Sequence, residues 1–334
     1  MDSRLADFVD KSIKIGSGYS GSYSMTRSFC RILSERILRR PITMVVPAPN
    51  RLDWVSEGIL DLCWVVPKIA AKWAYEGLGA ARGRPLKNLR AIARFPQDDR
   101  QMIALAPYAK LEGLEQIARE KRSVRVAIRV NPPVGREPGA EWPHVERAIL
   151  RQYELTLEDI ESRGGRYWPI STDFTAVEEE IKRREVDLVI GEASTQPIWK
   201  NVAGHGFKFL SLSESAMAGL EREGFERNIT PAGFLPGIEK PLLSVDESDF
   251  VLMTHEKADD ELIYTVTKTI DQNRRRIEEG AVTVQYMYSQ PLPIPQIVLR
   301  SPLTGPIENH WRTGVPLHRA AERYYREAGY ELEG

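Results

Sequence analysis

The sequence predicts an α/β fold, with a parallel or mixed sheet covered by helices on both faces. Three observations carry this. Short apolar runs rich in β-branched residues, such as Ile42 to Val46 (ITMVV), Val124 to Val130 (VRVAIRV) and Val186 to Ile190 (VDLVI), suit strands buried on both faces. Stretches with apolar residues three and four apart stand between them, so strands and helices alternate. The chain has 334 residues and 42% apolar content, which suits a globular protein of two domains or one two-lobed unit.

Taken in order, Ile13 to Ile15 is a short strand that ends at a Gly/Ser loop. Met25, Phe29, Ile32, Leu33 and Ile37 then fall at helical spacing, which predicts a helix over Met25 to Leu38. Ile42 to Val46 is the second strand; PAPN breaks it, and a short helix runs from Arg51 to Glu57. Ile59 to Val66 is a strand and Lys68 to Tyr75 a helix. Leu89 to Phe95, Met102 to Ala106 and Val124 to Val130 are strands, with a helix over Leu111 to Lys121. The loop NPPVGREPGAEWP leads into a helix from His144 to Tyr153. A helix over Phe174 to Arg184, strands over Val186 to Ile190, Phe207 to Leu210 and Phe250 to Met253, and a long helix from Asp259 to Glu278 follow. The Pro-rich run Gln290 to Gln296 reads as an extended connector.

Composition excludes several function classes. Lys plus Arg is 46 and Asp plus Glu is 47, a net charge of −1, so no broad field attracts nucleic acid or an anionic membrane. The most apolar stretch, Gly58 to Ala71, is interrupted by Asp61, Pro67 and Lys68 and is too short to span a bilayer. Acids and Lys11 break every apolar run in Met1 to Ile13, so this segment is not expected to act as a signal peptide. The chain as given is expected in the cytoplasm, or in the periplasm if a leader was removed from it. Cys30 and Cys63 sit in apolar contexts as small hydrophobes. Neither they nor the five histidines form a metal-binding spacing, so no metal is expected.

Gly16 to Ser24 reads GSGYSGSYS and contains G-x-G-x-x-G. A dinucleotide site also needs an acid at the tip of the second strand, for the ribose hydroxyls. That strand ends in Pro47-Ala48-Pro49-Asn50, with no acid. No Gly-Lys-Ser/Thr follows the loop, so a P-loop is excluded too, and no cofactor is expected. What remains is a strand, a small-residue loop and a helix N-terminus. Free N–H groups and the helix dipole there suit a small anion, with Ser17, Ser20, Ser22 and Ser24 as donors and Tyr19 and Tyr23 as ring faces. A plain strand-to-helix turn with a serine cap fits the same residues.

The order of segments resembles the solute receptors of TRAP transporters, specifically the TAXI type. The resemblance rests on IKIGSGYSGSYSMTRSFCRIL, WVSEGILDLCWVVPKIAAKWAYEG, GRPLKNLRAIARF, VDLVIGEAS, NITPAGFLPGIEKPLLSVDESDFVLMTHEKADDELIYTVTKTI and VPLHRAAERYYREAGY, which cover most of the chain. It implies a two-lobed periplasmic-binding-protein-like fold with a ligand cleft between the lobes. On that basis lobe one spans 13–108 plus 250–334, and lobe two 109–249. It further implies a small carboxylate ligand, and TRAP membrane subunits as partners if the chain is exported. Ser17, Tyr19, Ser20, Tyr23, Asn50 and the loop Asn131 to Trp142 match the family's ligand-contact segments. The chain departs from the family in the bulk of that loop, which carries Arg136, Glu137, Glu141 and Trp142 with His144 after it, and in Glu192 and Trp199 of GEASTQPIWKN.

Two functions fit. In the first, a binding protein holds a carboxylate in a closing cleft, the Gly/Ser loop grips the anion and the second lobe sets specificity. Arg136 would pair with a carboxylate, while Trp54, Trp142 and Trp199, near strand ends, suit either packing or an aromatic-bodied acid. In the second, the same fold is a cytoplasmic decarboxylase or lyase for an aromatic or hydroxylated acid, with His144 and Glu192 as candidate acid–base residues. No recognisable catalytic constellation accompanies them.

Overall fold

The computed structural model describes residues 12–18, 21–48, 50–81, 83–95, 99–128, 145–169, 177–193, 198–288 and 313–332. Among the described residues the strands form two separate five-stranded sheets and one hairpin. The chain opens with β1 (Ile13–Gly16), α1 (Gly21–Ser34), β2 (Ile42–Val45), α2 (Arg51–Ser56), β3 (Leu62–Val65), α3 (Lys68–Glu76) and β4 (Leu89–Phe95). It continues through β5 (Gln101–Leu105), α4 (Leu114–Arg119), β6 (Arg125–Ile128), α5 (Val145–Gln152), α6 (Leu157–Ser162), β7 (Arg166–Pro169), α7 (Glu178–Lys182) and β8 (Leu188–Glu192). Then come α8 (Ile198–Gly204), β9 (Lys208–Phe209), α9 (Glu214–Arg222), β10 (Arg227–Thr230), β11 (Leu242–Val245), β12 (Phe250–His255), α10 (Asp260–Tyr288) and α11 (Arg319–Glu327).

The first sheet has the order β2-β1-β3-β12-β4. β1 runs parallel to β2 and β3, and β12 runs antiparallel to β3 and β4. The second has the order β7-β6-β8-β5-β9, with β6 parallel to β7 and β8, and β5 antiparallel to β8 and β9. Each sheet is therefore mixed in the same way: a parallel set with one strand inserted in reverse. These reversed strands, β5 and β12, are the ones that follow the two crossings of the chain between sheets. The architecture is the two-lobed α/β class that the sequence predicts.

One strand departs from the expected boundary. Gln101 to Leu105 was expected in lobe one, but β5 pairs with β8 over its whole length, from Gln101 opposite Glu192 to Leu105 opposite Leu188. Its first-lobe neighbour β4 ends at Phe95, so the chain changes sheets between the two strands. Nothing in QMIAL selects a sheet; hydrogen-bonding partners do.

Each lobe has an apolar cluster on either face of its sheet. Phe29, Ile32 and Leu33 of α1 and Ile263, Val266 and Ile270 of α10 cover one face of the first sheet, with Tyr324 and Tyr325 of α11 beside them. Leu52 and Val55 of α2 and Ala70, Ala71 and Ala74 of α3 cover the other. The α1 helix starts at Gly21, ahead of the expected Met25; its first turn, Gly-Ser-Tyr-Ser, carries no apolar repeat that would mark it in the sequence. Helix α10 is broken at Asn273 (φ −129°), whose side chain donates back to the Thr269 carbonyl. The second lobe's large cluster gathers Ile103, Val126, Ile149, Leu188 and Leu220, and it takes in Ile69 and Trp73 from α3. Among the described residues no helix is long and apolar enough to cross a membrane.

Candidate functional site

In open α/β sheets, ligands bind outside the carboxyl ends of the parallel strands. In the first lobe those ends lead into Ser17, Ala48 and Pro67. Ser17 is fully buried. Its N–H donates to the Val45 carbonyl and its own carbonyl accepts from Ala48 N–H, at 3.0 and 2.9 Å, which locks the loop after β1 to the loop after β2. Its hydroxyl accepts from Thr26 Oγ1 at 2.9 Å and donates to the Gly18 carbonyl at 3.1 Å. Ser17, expected as a ligand donor, thus spends its hydroxyl on holding the loop against α1. Tyr23 is half-buried in the first turn of α1. Tyr19 and Ser20, and the Ser22 side chain, lie outside the described residues.

Gly16, the last residue of β1, is required by close packing. A Cβ there would stand 2.5 Å from Leu60 Cδ1 and 3.3 Å from the Cβ atoms of Ala48 and Arg51. Arg51, the first residue of α2, is 2% exposed and lies directly behind the end of β1. Asn50 precedes it at the N-cap position, where its carbonyl accepts from Trp54 N–H and its side chain makes no capping bond. Trp54 packs against the α2–α3 face of the sheet. This part of the edge therefore offers Arg51 and Asn50 behind the Gly/Ser loop.

Further along the same edge stands a charge cluster at the chain crossing. Lys68, the first residue of α3, puts Nζ 3.0 Å from Asp246, 3.3 Å from Glu226 and 3.6 Å from Asp249. Arg94 of β4 reaches Asp249 at 3.4 Å. Ser248 donates to Asp246 at 2.8 Å, and the Lys68 N–H donates to the Ser248 carbonyl at 3.1 Å. Burial pulls the Lys68 ammonium down, but Asp246, Asp249 and Glu226 outweigh it and hold the group above its usual range. Asp249 sits in the left-handed region (φ +70°), an uncommon conformation for a residue with a Cβ.

The second lobe presents a different edge. Glu192 ends β8 directly opposite Gln101, the first residue of β5, and both are nearly buried, at 8% and 2% exposed. Gln101 Nε2 donates to Glu146 Oε1 at 3.1 Å and to Glu247 Oε2. Glu146, near the start of α5, and Glu247, in the crossing, are both buried. Trp199 is fully buried, and its indole N–H donates to the Glu192 carbonyl at 2.8 Å, so it braces the end of β8 by packing. Arg136, Glu141, Trp142, His144 and the loop 131–142 lie outside the described residues.

Arg51 stands on the first-lobe side, Lys68 and Arg94 are paired at the crossing with Asp246, Asp249 and Glu226, and Gln101, preceded by the buried Arg100, stands with Glu146, Glu192 and Glu247 on the second. Asn50 and Glu192, expected as ligand contacts, stand at the N-cap of α2 and at the end of β8, and Arg51, Lys68, Arg94 and Gln101 were not among the expected residues. The signal was there for Lys68 and Arg51, each the first residue of a helix straight after a strand and a proline-bearing turn. For Gln101 there was none. Among the described residues, no group of His, Cys, Asp and Glu side chains is arranged to hold a metal.

Residues 50–329 match the family model described as the NMT1-like family. The chain belongs to the NMT1-like family. Among solved structures, this NMT1-like chain is similar to the alkanesulfonate-binding protein SsuA from Xanthomonas axonopodis pv. citri bound to MOPS. The two are 15% identical with a TM-score of 0.41, over 87% of this chain and 83% of that one. It is also similar to a TctC solute binding protein from Polaromonas, 11% identical with a TM-score of 0.46, over 91% of this chain and 96% of that one.

Proposed function

We propose that this NMT1-like protein is a solute-binding protein that captures a small carboxylate between its lobes, as the TAXI-type receptors that its sequence resembles do. One observation carries this reading. The carboxyl edge of the first sheet combines the N-terminal turn of the 14-residue helix α1 with a buried arginine, Arg51, packed behind Gly16. Backbone N–H groups, a helix dipole and a guanidinium share one sign of preference, for an anion. The same edge has no acid at the tip of β2 to take ribose hydroxyls, which disfavours a dinucleotide. TRAP membrane subunits would be the partners of an exported form.

Calorimetry with mono- and dicarboxylates, and with NAD and NADP, tests this. At least one carboxylate should bind and neither nucleotide should. Ser20→Ala combined with Ser22→Ala should weaken carboxylate binding by one to two orders of magnitude, roughly 1.4–3 kcal/mol, with the protein still folded. Nucleotide binding, or an unchanged affinity in the double variant, overturns the reading.

A further inference from the structure

The Gln101 side chain leaves one of its two polar atoms unmet. The residue is 2% exposed, and its Oε1 atom has no hydrogen-bond partner. The amide orientation is fixed by its neighbours: Nε2 faces carboxylate oxygens of Glu146 and Glu247, and turning the amide round would set acceptor against acceptor. A buried acceptor with nothing to accept is costly, and native proteins keep few of them. Those that persist tend to serve a bound molecule or water. Gln101 lies where one would be met, at the start of β5, beside the carboxyl ends of β6 and β8 and immediately after the chain crosses between lobes.

We infer that Gln101 is a specificity-determining residue, and that the captured acid carries an O–H or N–H donor which Gln101 Oε1 accepts. This rests on the carboxylate reading above and narrows it. Arg51, behind the Gly/Ser loop of the first lobe, suits the anionic end of the solute. Glu146 and Glu247 take the donor side of the Gln101 amide, which leaves Oε1 as the acceptor for a donor on the solute. Gln101 therefore discriminates between two acids of the same shape that differ only in a hydroxyl or amino group. A site with a buried acceptor penalises the analogue that leaves it unmet.

The test compares matched pairs by calorimetry: propionate against L-lactate and L-alanine, 3-phenylpropionate against L-phenyllactate and L-phenylalanine, and succinate against L-malate. In at least one set the donor-bearing acid should bind about tenfold or more tightly than its plain partner. Gln101→Met should bring that set within about twofold, with circular dichroism showing that the variant is folded. Equal affinities within every set of the wild-type protein overturn the inference without any variant. A preference that survives Gln101→Met overturns it as well. If plain and donor-bearing acids all fail to bind, the carboxylate reading falls, and this inference falls with it.

Discussion

Trp73 of α3 stands edge-on to Phe225 of the second lobe, with ring centroids 4.7 Å apart and planes at 80°. Its indole N–H donates to the Gly224 carbonyl at 3.3 Å. Gly224 has φ +95°, and a Cβ on it would meet Trp73 Nε1 at 2.8 Å, so a glycine is needed there for the indole to fit. α3 follows the first-lobe strand β3, yet Trp73 and Ile69 belong to the second lobe's apolar cluster. The helix is thus a shared element between the lobes. Trp73→Ala should cost about 3–5 kcal/mol in urea unfolding, since it removes a buried ring and leaves a cavity. Trp73→Phe, which keeps most of the packing and loses the hydrogen bond, should cost about 1 kcal/mol beyond any repacking.

Lys68 ties the same helix to the returning chain. Its neighbours Asp246 and Asp249 are only 11% and 10% exposed at the side chain, and Lys68 itself 23%. Lys68→Met leaves those carboxylates near each other without their ammonium, and should cost about 2 kcal/mol, below the full penalty of a deeply buried pair. The folded-state group is held above its ordinary value. A raised lysine contributes stability that is fully present below the unfolded value of about 10.4 and is lost as pH rises through the folded one. Wild-type stability should therefore fall at strongly alkaline pH more steeply than that of Lys68→Met. Parallel alkaline limbs for the two proteins would contradict this.

Much of the fold is legible because it is local. ITMVV, VRVAIRV and VDLVI form strands where their composition says they should, although β2, from ITMVV, is a half-buried edge strand and not the doubly buried one expected, and the helical spacing in α1, α3 and α10 is visible in the chain. What is lost is whatever depends on distant partners. β7 (RYWP) and β10 (RNIT) have no apolar run, since β10 forms a hairpin with β11 and stays largely exposed. α6 was missed although its capping box, Thr156 with Asp159, is written in four consecutive residues. In the site, strand ends mark Asn50 and Glu192. Gln101, by contrast, meets Glu247 across 146 positions, so it is not distinguished until the chain has crossed and returned; Lys68 is marked as the first residue of a helix after a proline-bearing turn, but its partner Ser248, 180 positions away, is not.

His318 provides a second, independent pH response. It is 1% exposed, and its Nδ1 accepts from Ala320 N–H at 3.2 Å, which caps α11. The proton of the neutral ring is therefore on Nε2. Burial pushes His318 below the usual histidine range, and the Asp260 carboxylate only partly opposes this. With the folded value depressed, the stabilisation is present above about pH 6.5, the ordinary value, and is lost as pH falls through the folded one. Protonation occupies the lone pair that makes the cap. His318→Asn retains a capping side chain without titrating, so it should flatten the acid side of the stability profile below about pH 6.5. A profile as steep as that of wild type would show that other groups govern it.

Gly16→Ala separates packing from binding at the first-lobe edge. The added Cβ stands 2.5 Å from Leu60 Cδ1, a closer approach than carbon atoms tolerate, and Leu60 is itself 1% exposed with little room to turn. Overpacking of this kind costs about 1–3 kcal/mol. The same Cβ presses at 3.3 Å on Ala48 and Arg51, so the strain reaches both the loop held by Ser17 and the arginine behind it. A displacement of a few tenths of an ångström matters little to the core but does matter to a charge-assisted hydrogen bond, whose strength depends on distance and angle. Carboxylate affinity should fall about tenfold or more under conditions where circular dichroism shows the variant folded. Leu60→Ala in the same background removes the nearest clash; it should recover stability if Leu60 alone resists the methyl, while affinity recovers only if Arg51 has regained its place. Full affinity in Gly16→Ala alone would mean that Arg51 and the loop after β1 do not hold the anion.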